Sequence, residues 1–177
     1  MTTPIFCFWC TFIILFVYLN SQNQLISTDP LTSLNNRNQL QRYLLLQREA
    51  KGSYVIMVDV DHFKQINDTY GHMEGDRALV LVSRALKKAC SRLKISIFLC
   101  RYGGDEFLMI AQTRKPDDVL RVVRECLREE IANRSGSLTY TLEASMGYSS
   151  WDGRASTFRE SVVSADQKMY EDKRSSP

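Results

Sequence analysis

The sequence predicts an α+β domain in which helices flank a mainly antiparallel central sheet. Short, continuous apolar runs that are typical of buried strands alternate with longer stretches whose apolar residues recur at helical spacing. Two of these runs, Ile95–Cys100 and Phe107–Ala111, stand on either side of a Gly-Gly pair, which indicates an antiparallel hairpin. The chain has 177 residues, which is enough for one domain with a proper core.

The first half of the domain begins with a helix and a strand. A helix is expected over residues 34–49, because Leu34, Leu40 and Leu44 have roughly helical spacing. The following run, Tyr54–Val60, is almost continuously apolar, which predicts a central strand that is buried on both faces.

Two helices should follow this strand. Phe63–Tyr70 predicts a short helix that ends at Gly71. A longer helix comes next, and its apolar face consists of Ala78, Leu79, Val82, Ala85, Leu86, Ala89 and Leu93.

The second half of the domain begins with the hairpin over residues 95–111. Gly103 and Gly104 are expected to supply the positive φ angles of its tight turn and to leave room for a bulky ligand near the backbone. A helix should follow Pro116, with an apolar face made of Val119, Leu120, Val123, Cys126, Leu127 and Ile131.

Two strands and a helix complete the expected fold. Leu138–Leu142 alternates between apolar and polar residues, which predicts a strand, and Ala144–Ser149 is expected to be its antiparallel partner. The closing helix has an apolar face of Phe158, Val162, Ala165 and Met169.

Composition excludes some classes of function. The net charge is only +3 and the basic residues are dispersed, so nucleic acid is not expected as a partner. Cys90, Cys100 and Cys126 lie in apolar periodic stretches and should be buried thiols. The Cys7-Phe8-Trp9-Cys10 sequence lies within an apolar run, which favours membrane-facing residues over a redox or metal site.

The amino terminus predicts a membrane anchor. Ile5–Leu19 carries no charge, although a full span needs about 20 residues. We therefore expect residues 1–20 to form the anchor and residues 21–28 to form a polar linker. The first basic residues, Arg37 and Arg42, come after the run, which favours a cytoplasmic location for the remainder. A buried helix of a soluble protein is the alternative.

Two acidic clusters end apolar runs. Asp59-Val60-Asp61 ends one strand, and Asp105-Glu106 follows the glycine pair at the start of another. Carboxylates are preferred ligands of Mg²⁺, so the pair of clusters predicts a Mg²⁺-nucleotide site. Considered alone, Asp59 is better explained by the alternative of an acid in a turn at a strand end, and its pairing with Asp105 and Glu106 is what favours the metal site.

Five sequence blocks together resemble the GGDEF diguanylate cyclase domains. These are bacterial enzymes that join two GTP molecules into cyclic di-GMP, a second messenger in biofilm and motility control. The similarity covers residues 29–173, and the GGDEF domain is expected over residues 29–177. The blocks are Asp29–Arg37, Val58–His72 with Gly75-Asp76, Arg101–Phe107, Ser145–Gly147 and Ala165–Lys173. The resemblance implies a palm-like sheet similar to those of nucleotidyl cyclases and polymerases.

The resemblance also implies a metal site. Asp59 and Asp105 would be the metal carboxylates, and the carbonyl of Val60 would be a further ligand. Each active site would hold two Mg²⁺ ions, for which Mn²⁺ can substitute. Glu106 would assist either metal binding or proton removal.

Substrate contacts are implied in the same way. His62, Phe63 and Lys64 would lie beside the β- and γ-phosphates at a helix start, where backbone N–H groups bind anions well. Lys173 would add a second positive charge, and Gly103 and Gly104 would lie close to the ligand.

Guanine recognition is implied for Asn67 and Asp76. A carboxylate accepts hydrogen bonds from guanine N1–H and the 2-amino group, which adenine lacks. Helix capping is the alternative role for both residues. His72 is expected to pack in the turn between them rather than to act as a base.

The chain departs from the family pattern at two places. The family's Arg-x-x-Asp product-inhibition site corresponds to Lys94 and Ile97, so weak or absent product inhibition is expected. A phosphate-contacting arginine of the family corresponds to Pro177.

The resemblance implies an active bacterial cyclase, and the amino-terminal run predicts its location at the inner membrane, with the catalytic domain in the cytoplasm. Each site holds one GTP, so two domains must meet as a homodimer. The alternatives are a catalytically silent GTP-binding module and a purely structural membrane protein.

Overall fold

The computed structural model describes residues 9, 11–17, 27–46, 52–133 and 138–175. Residues 11–17 are helical. The labelled elements, in chain order, are α1 (Arg37–Leu46), β1 (Ser53–Val60), α2 (Phe63–Tyr70), α3 (His72–Leu93), β2 (Ile97–Arg101), β3 (Glu106–Gln112), α4 (Pro116–Ala132), β4 (Ala144–Trp151) and α5 (Ala155–Ser175).

The four strands form one antiparallel sheet with the order β2-β3-β1-β4. Strand β1 lies between β3 and β4, as its continuous apolar sequence predicts. The register places Asp59 opposite Glu106 on β3 and opposite Ser145 on β4. The predicted fold class, α+β with a mainly antiparallel sheet and flanking helices, is confirmed.

Helices cover both faces of the sheet. One face packs Ile56, Val58 and Val60 of β1 against α3 and α4. The other face packs Val55 and Met57 against α1 and α5. Successive side chains of a strand point to opposite faces. Burial on both faces therefore explains why β1 is apolar throughout instead of alternating.

Helix α1 begins three residues later than the sequence predicts. Asn36 precedes the helix, and its side-chain oxygen accepts a hydrogen bond from the backbone N–H of Gln39 at 3.1 Å. Such a contact is typical of an N-cap, so the helix begins at Arg37. Leu34 is buried ahead of the helix, and residues 47–49 of the predicted helix lie outside the described part of the chain.

The prediction of a strand over Leu138–Leu142 is wrong. These residues form no regular element, and β4 pairs with β1 instead. The segment alternates because Leu138, Tyr140 and Leu142 pack their side chains against the core. Tyr140 also lies against the Tyr70 ring, with ring centroids 5.1 Å apart. One-sided burial therefore produced the strand-like pattern without a hydrogen-bonded ladder.

The predicted membrane anchor lies partly outside the described residues. Within residues 11–17, apolar side chains such as those of Ile14 and Phe16 are more than half exposed. Among the described helices, none combines the length and apolarity that crossing a bilayer would require.

Cys100 and Cys126 are buried and Cys90 is half-buried, as expected for thiols in apolar stretches. Burial raises the pKa of Cys90 to about 11 and that of Cys100 to about 12. Both thiols therefore stay protonated and unreactive at neutral pH.

Gly147 allows α5 to pack directly on β4. A side chain at this position would overlap the backbone of Ala165 and Met169 on the helix. Close helix–strand contact is one of the physical reasons for glycine in a strand.

Gly147→Ala should therefore destabilise the fold by about 1–3 kcal/mol, because the added methyl group must push α5 away from the sheet. Urea unfolding of the full chain measures this change through the midpoint and slope. Ser150→Ala, at an exposed position of the same strand, is the matched control. Equal unfolding midpoints for Gly147→Ala and the parent would contradict the close packing of α5 on Gly147.

Candidate active site

Three carboxylates meet at one end of the sheet. Asp59 stands on β1 directly opposite Glu106 on β3. The carbonyl oxygen of Asp105 accepts a hydrogen bond from the N–H of Val60 at 3.2 Å, so the hairpin turn is fastened to the end of β1. The structure thus brings together Asp59, Asp105 and Glu106, which the sequence predicts as one site.

The crowding of negative charge changes the protonation equilibria of these acids. Burial raises the pKa of Asp59 above its ordinary value, and the charges of Asp105 and Asp61 raise it further, whereas Lys173 lowers it. Burial also raises the pKa of Glu106, and Asp59 and Asp105 add to that rise. A group of acids that repel one another in this way is suited to a cation.

Lys173, in the last turn of α5, supplies a positive charge to this cluster. Its Nζ lies 2.5 Å from Oδ1 of Asp59 and 4.0 Å from Oδ1 of Asp61. Burial lowers the pKa of Lys173, but its hydrogen bond to Asp59 and the neighbouring carboxylates outweigh burial and raise the pKa overall. The ammonium group therefore stays charged.

Asp61 has a structural task that the sequence prediction missed. Its carboxylate accepts a hydrogen bond of 2.7 Å from the Ser145 hydroxyl, and both residues are buried. Its backbone N–H donates to the carbonyl of Glu143 at 3.0 Å. Asp61 therefore fixes the chain where it leaves β1. In the sequence, the position of Asp61 two residues after Asp59 was the local indication of a role for it, because its partner Ser145 is 84 residues away.

The glycine pair shapes the hairpin turn, but not through positive φ angles. Gly103 and Gly104 are not among the residues with positive φ, so that prediction is wrong. A side chain at Gly103 would instead meet the carboxylate of Glu106. The N–H groups of Tyr102 and Gly103 both donate to the carbonyl of Glu106, at 2.8 and 3.1 Å.

Arg101 ties this turn to the segment that precedes α1. Its guanidinium donates to the carbonyl of Gly104 at 2.6 Å and to the carboxylate of Asp29 at 3.1 Å. Burial alone would raise the pKa of Asp29, but hydrogen bonds from Thr32 together with Arg101 hold it below its ordinary value. The turn that carries the acids is therefore braced from outside the hairpin.

The turn from β1 into α2 contains the residues that are expected to contact phosphate. His62 precedes the helix with φ 56°, a left-handed conformation that is uncommon for residues other than glycine. The first turn of α2 carries no acidic residue, and Lys64 there is exposed. Phe63 packs partly against the core. Backbone N–H groups at a helix start donate hydrogen bonds to anions readily, and the phosphate contacts of His62, Phe63 and Lys64 stay a prediction.

Asn67 lies next to Gly75, which is in the first turn of α3 and directly before Asp76. A side chain at Gly75 would overlap the amide of Asn67 and come within 3.3 Å of the Phe63 ring. No side-chain capping hydrogen bond is formed at the start of α2 or α3. Asn67 lies within α2 and Asp76 within α3, so neither is the N-cap residue of its helix, and their role toward guanine stays a prediction.

The donor set at the end of β1 fits Mg²⁺ only in part. In the described part of the chain, no group of three or more His, Cys, Asp or Glu side chains is arranged to hold a metal by itself. Mg²⁺ commonly binds through one or two carboxylates and completes its ligands with waters and substrate phosphates. Asp59 and Asp105 match this requirement, and the carbonyl of Val60 stays a predicted third ligand.

One of the two predicted departures from the family pattern, at Lys94 and Ile97, falls on described residues. Lys94 ends α3 in a left-handed conformation and is exposed, and Ile97 is the first residue of β2. Arg174 is exposed near the end of α5, while Pro177 lies outside the described residues.

Comparison with known proteins identifies relatives over most of the chain. The family model "Diguanylate cyclase, GGDEF domain" matches residues 26–176. The diguanylate cyclase DgcP of Pseudomonas aeruginosa is 34% identical over 168 residues, and the response regulator PleD of Caulobacter vibrioides is 33% identical over 167. Each alignment covers 89% of this chain, but only 24% of DgcP and 36% of PleD.

Solved structures show the same fold. The diguanylate cyclase SiaD of Pseudomonas aeruginosa, determined in complex with its activator SiaC, has a TM-score of 0.72 and 33% identity, covering 98% of this chain and 68% of that one. The GGDEF domain of DgcB from Caulobacter crescentus, determined with c-di-GMP, has a TM-score of 0.64 and 27% identity, covering 85% of this chain and 91% of that one.

Proposed function

This chain belongs to the GGDEF family of diguanylate cyclase domains, and we propose that it condenses two GTP molecules into cyclic di-GMP and pyrophosphate. In each of two steps, the 3′-hydroxyl of one GTP gives up its proton, to solvent or to a carboxylate such as Glu106, and its oxygen forms a bond to the α-phosphorus of the other. The bond from that phosphorus to the bridging oxygen breaks, and pyrophosphate leaves. The observation that carries the proposal is the convergence of Asp59, Asp105 and Glu106 beside the start of α2.

Different residues of the site are assigned to metal binding, phosphate binding and guanine recognition. Asp59 and Asp105 would hold Mg²⁺, which neutralises developing negative charge on the phosphates when it is bound. The start of α2 and Lys64 bind the β- and γ-phosphates, and Asn67 and Asp76 read the guanine edge. Catalysis then rests on positioning and electrostatics, with no covalent intermediate on the protein.

A homodimer follows from the stoichiometry of the reaction. One site holds one GTP, so two domains must face each other to bring a 3′-hydroxyl to an α-phosphate. Asp59 and Glu106 lie at an end of the sheet, where a second domain can approach. The proposed catalytic unit is therefore a dimer that forms at least transiently.

A silent GTP-binding module is the second candidate function. In a module that has lost catalysis, we expect substitutions at the positions that bind the metal or remove a proton. Here Asp59, Asp105, Glu106, Asn67 and Asp76 are all present, and the first three converge. The intact site favours the active cyclase.

Purified protein given GTP and Mg²⁺ should form cyclic di-GMP, identified by mass spectrometry, and should form no cyclic product from ATP. Asp105→Ala should lower the rate at least about 100-fold, because a metal carboxylate is lost. Asp118→Ala, which removes a half-exposed acid of α4 that pairs with Arg121, is the matched control and should retain the parent rate. The rate per protein molecule should rise with protein concentration if a dimer is required.

GTP binding by the parent without any product, even when two domains are fused to a dimerising segment, would contradict the cyclase proposal. That result would support the silent module.

We also propose that product inhibition through the Arg-x-x-Asp position is weak or absent. Lys94 lacks the planar guanidinium that grips a guanine base or phosphate bidentately, and Ile97 has no side-chain acceptor. Added cyclic di-GMP at low micromolar concentration should leave the initial rate within about twofold of its value without product. Inhibition at that concentration that disappears in Lys94→Ala would show that the site is functional.

Residues 1–20 are further proposed to anchor the chain at the inner membrane of a bacterium, with the catalytic domain in the cytoplasm. The support is the uncharged run Ile5–Leu19 and the exposed apolar side chains of residues 11–17. The full chain should float with phosphatidylethanolamine–phosphatidylglycerol vesicles in a density gradient. Ile14→Asp should reduce flotation, because a charge in a bilayer is costly, whereas Thr2→Asp should have little effect. Recovery of the parent chain without vesicles would contradict the anchor.

A further inference from the structure

The contact between Lys173 and Asp59 has a consequence for the order in which ligands bind. Asp59 is one of the two carboxylates that the proposed function assigns to the metal, and Lys173 is a residue it assigns to phosphate. In the structure the two residues bind each other, at 2.5 Å. The ammonium group occupies Oδ1 of Asp59, so a Mg²⁺ ion on the same carboxylate would lie close to a like charge.

We propose that Lys173 serves as an internal cation for Asp59 in the nucleotide-free protein and makes metal binding at Asp59 conditional on nucleotide. This inference rests on the proposed function. Lys173 and a metal ion therefore compete for the negative charge of Asp59, and a second anion that attracts Lys173 would relieve this competition. The triphosphate of the nucleotide supplies that anion.

The surroundings of Lys173 support a dedicated contact rather than a casual surface pair. Only 13% of the Asp59 side chain is exposed, compared with 37% of Lys173. Asp61 is 4.0 Å from the ammonium, but its carboxylate already accepts the Ser145 hydroxyl. Within the described part of the chain, Lys173 forms ion pairs with both Asp59 and Asp61. Asp59 would otherwise be a half-buried charge surrounded by other acids, which is costly.

The lysine can change partner without a change in the fold. Its ammonium group sits on a flexible four-carbon stem, and its backbone lies in the last turn of α5. Rotation of the side chain is therefore sufficient. Asp61 is instead fixed by Ser145 and Glu143, so the lysine is the movable member of the group.

The charges of Lys173, the metal and the phosphates explain why metal and nucleotide should bind together. Lys173 would move from Asp59 to the phosphates as the metal binds Asp59. With metal alone, freeing Asp59 leaves Lys173 without its close partner, and the cation must bind near an ammonium of like charge. With nucleotide present, both positive groups gain phosphate oxygens. Metal affinity should consequently be low without nucleotide and high with it.

Titration of the full chain with Mn²⁺, followed by electron paramagnetic resonance of the free ion, tests this inference without requiring turnover. The nucleotide is a GTP analogue with a methylene group between the α- and β-phosphorus atoms, which cannot release pyrophosphate. Without nucleotide, Lys173→Met should bind Mn²⁺ at least about tenfold more tightly than the parent, because a competing positive charge is removed. With the analogue, Lys173→Met should bind the nucleotide more weakly than the parent.

Two controls isolate the charge at this position. Lys173→Arg keeps a positive charge and should bind Mn²⁺ alone as weakly as the parent. Lys168→Met removes a charge from the same helix, where the ammonium lies over the Tyr148 ring at 5.1 Å, and should also match the parent.

Mn²⁺ binding by nucleotide-free Lys173→Met that is no tighter than that of the parent would overturn the inference. The proposed function would survive that result if Asp105→Ala still weakened Mn²⁺ binding in the presence of the analogue. If Asp105→Ala had no effect there, the metal site itself would be wrong, and both proposals would fail.

Discussion

The concentration of negative charge at one end of β1 is the constraint on which the rest of the site depends. Asp59, Asp105 and Glu106 are brought together by strand register and by the hydrogen bond from Val60 to Asp105. Burial and mutual repulsion raise the pKa of Asp59 and Glu106. A nearby cation stabilises the ionised form of such an arrangement, and the neighbouring elements provide one.

The position of α5 is what provides that cation. The helix lies close to the sheet because Gly147 has no side chain to hold it away. Lys173, in the last turn, consequently reaches Asp59, which is 114 residues earlier in the chain. The absence of a side chain at Gly147 on β4 therefore affects which positive charge lies beside Asp59 at the end of β1. The Asp61–Ser145 hydrogen bond joins the same two strands at the same end and keeps the geometry fixed.

Local pattern predicted much of this fold from the sequence. Strand β1 and helix α2 were predicted nearly to the residue, because each has a clear periodicity and a glycine or an acid at its boundary. The meeting of Asp59 with Asp105 and Glu106 was also predicted, since strand ends share an edge. The contacts of Lys173 and Ser145 were not predicted, because a single sequence carries no signal for pairs so far apart. The strand predicted over Leu138–Leu142 was wrong, because the alternation of apolar and polar residues there results from burial of one side of the segment and not from strand pairing.

The site is incomplete in a way that matches the proposed reaction. Within the described part of the chain, no group of three or more metal-binding side chains is arranged to hold a metal by itself, and Asp59 is already paired with Lys173. The start of α2 offers N–H groups to an anion, and no acid in that turn competes for them. A nucleotide triphosphate would satisfy all three conditions at once, because it supplies metal ligands, a partner for Lys173 and an anion for the helix. Substrate binding would then assemble the charge balance that catalysis requires, and the second domain would supply the group that attacks.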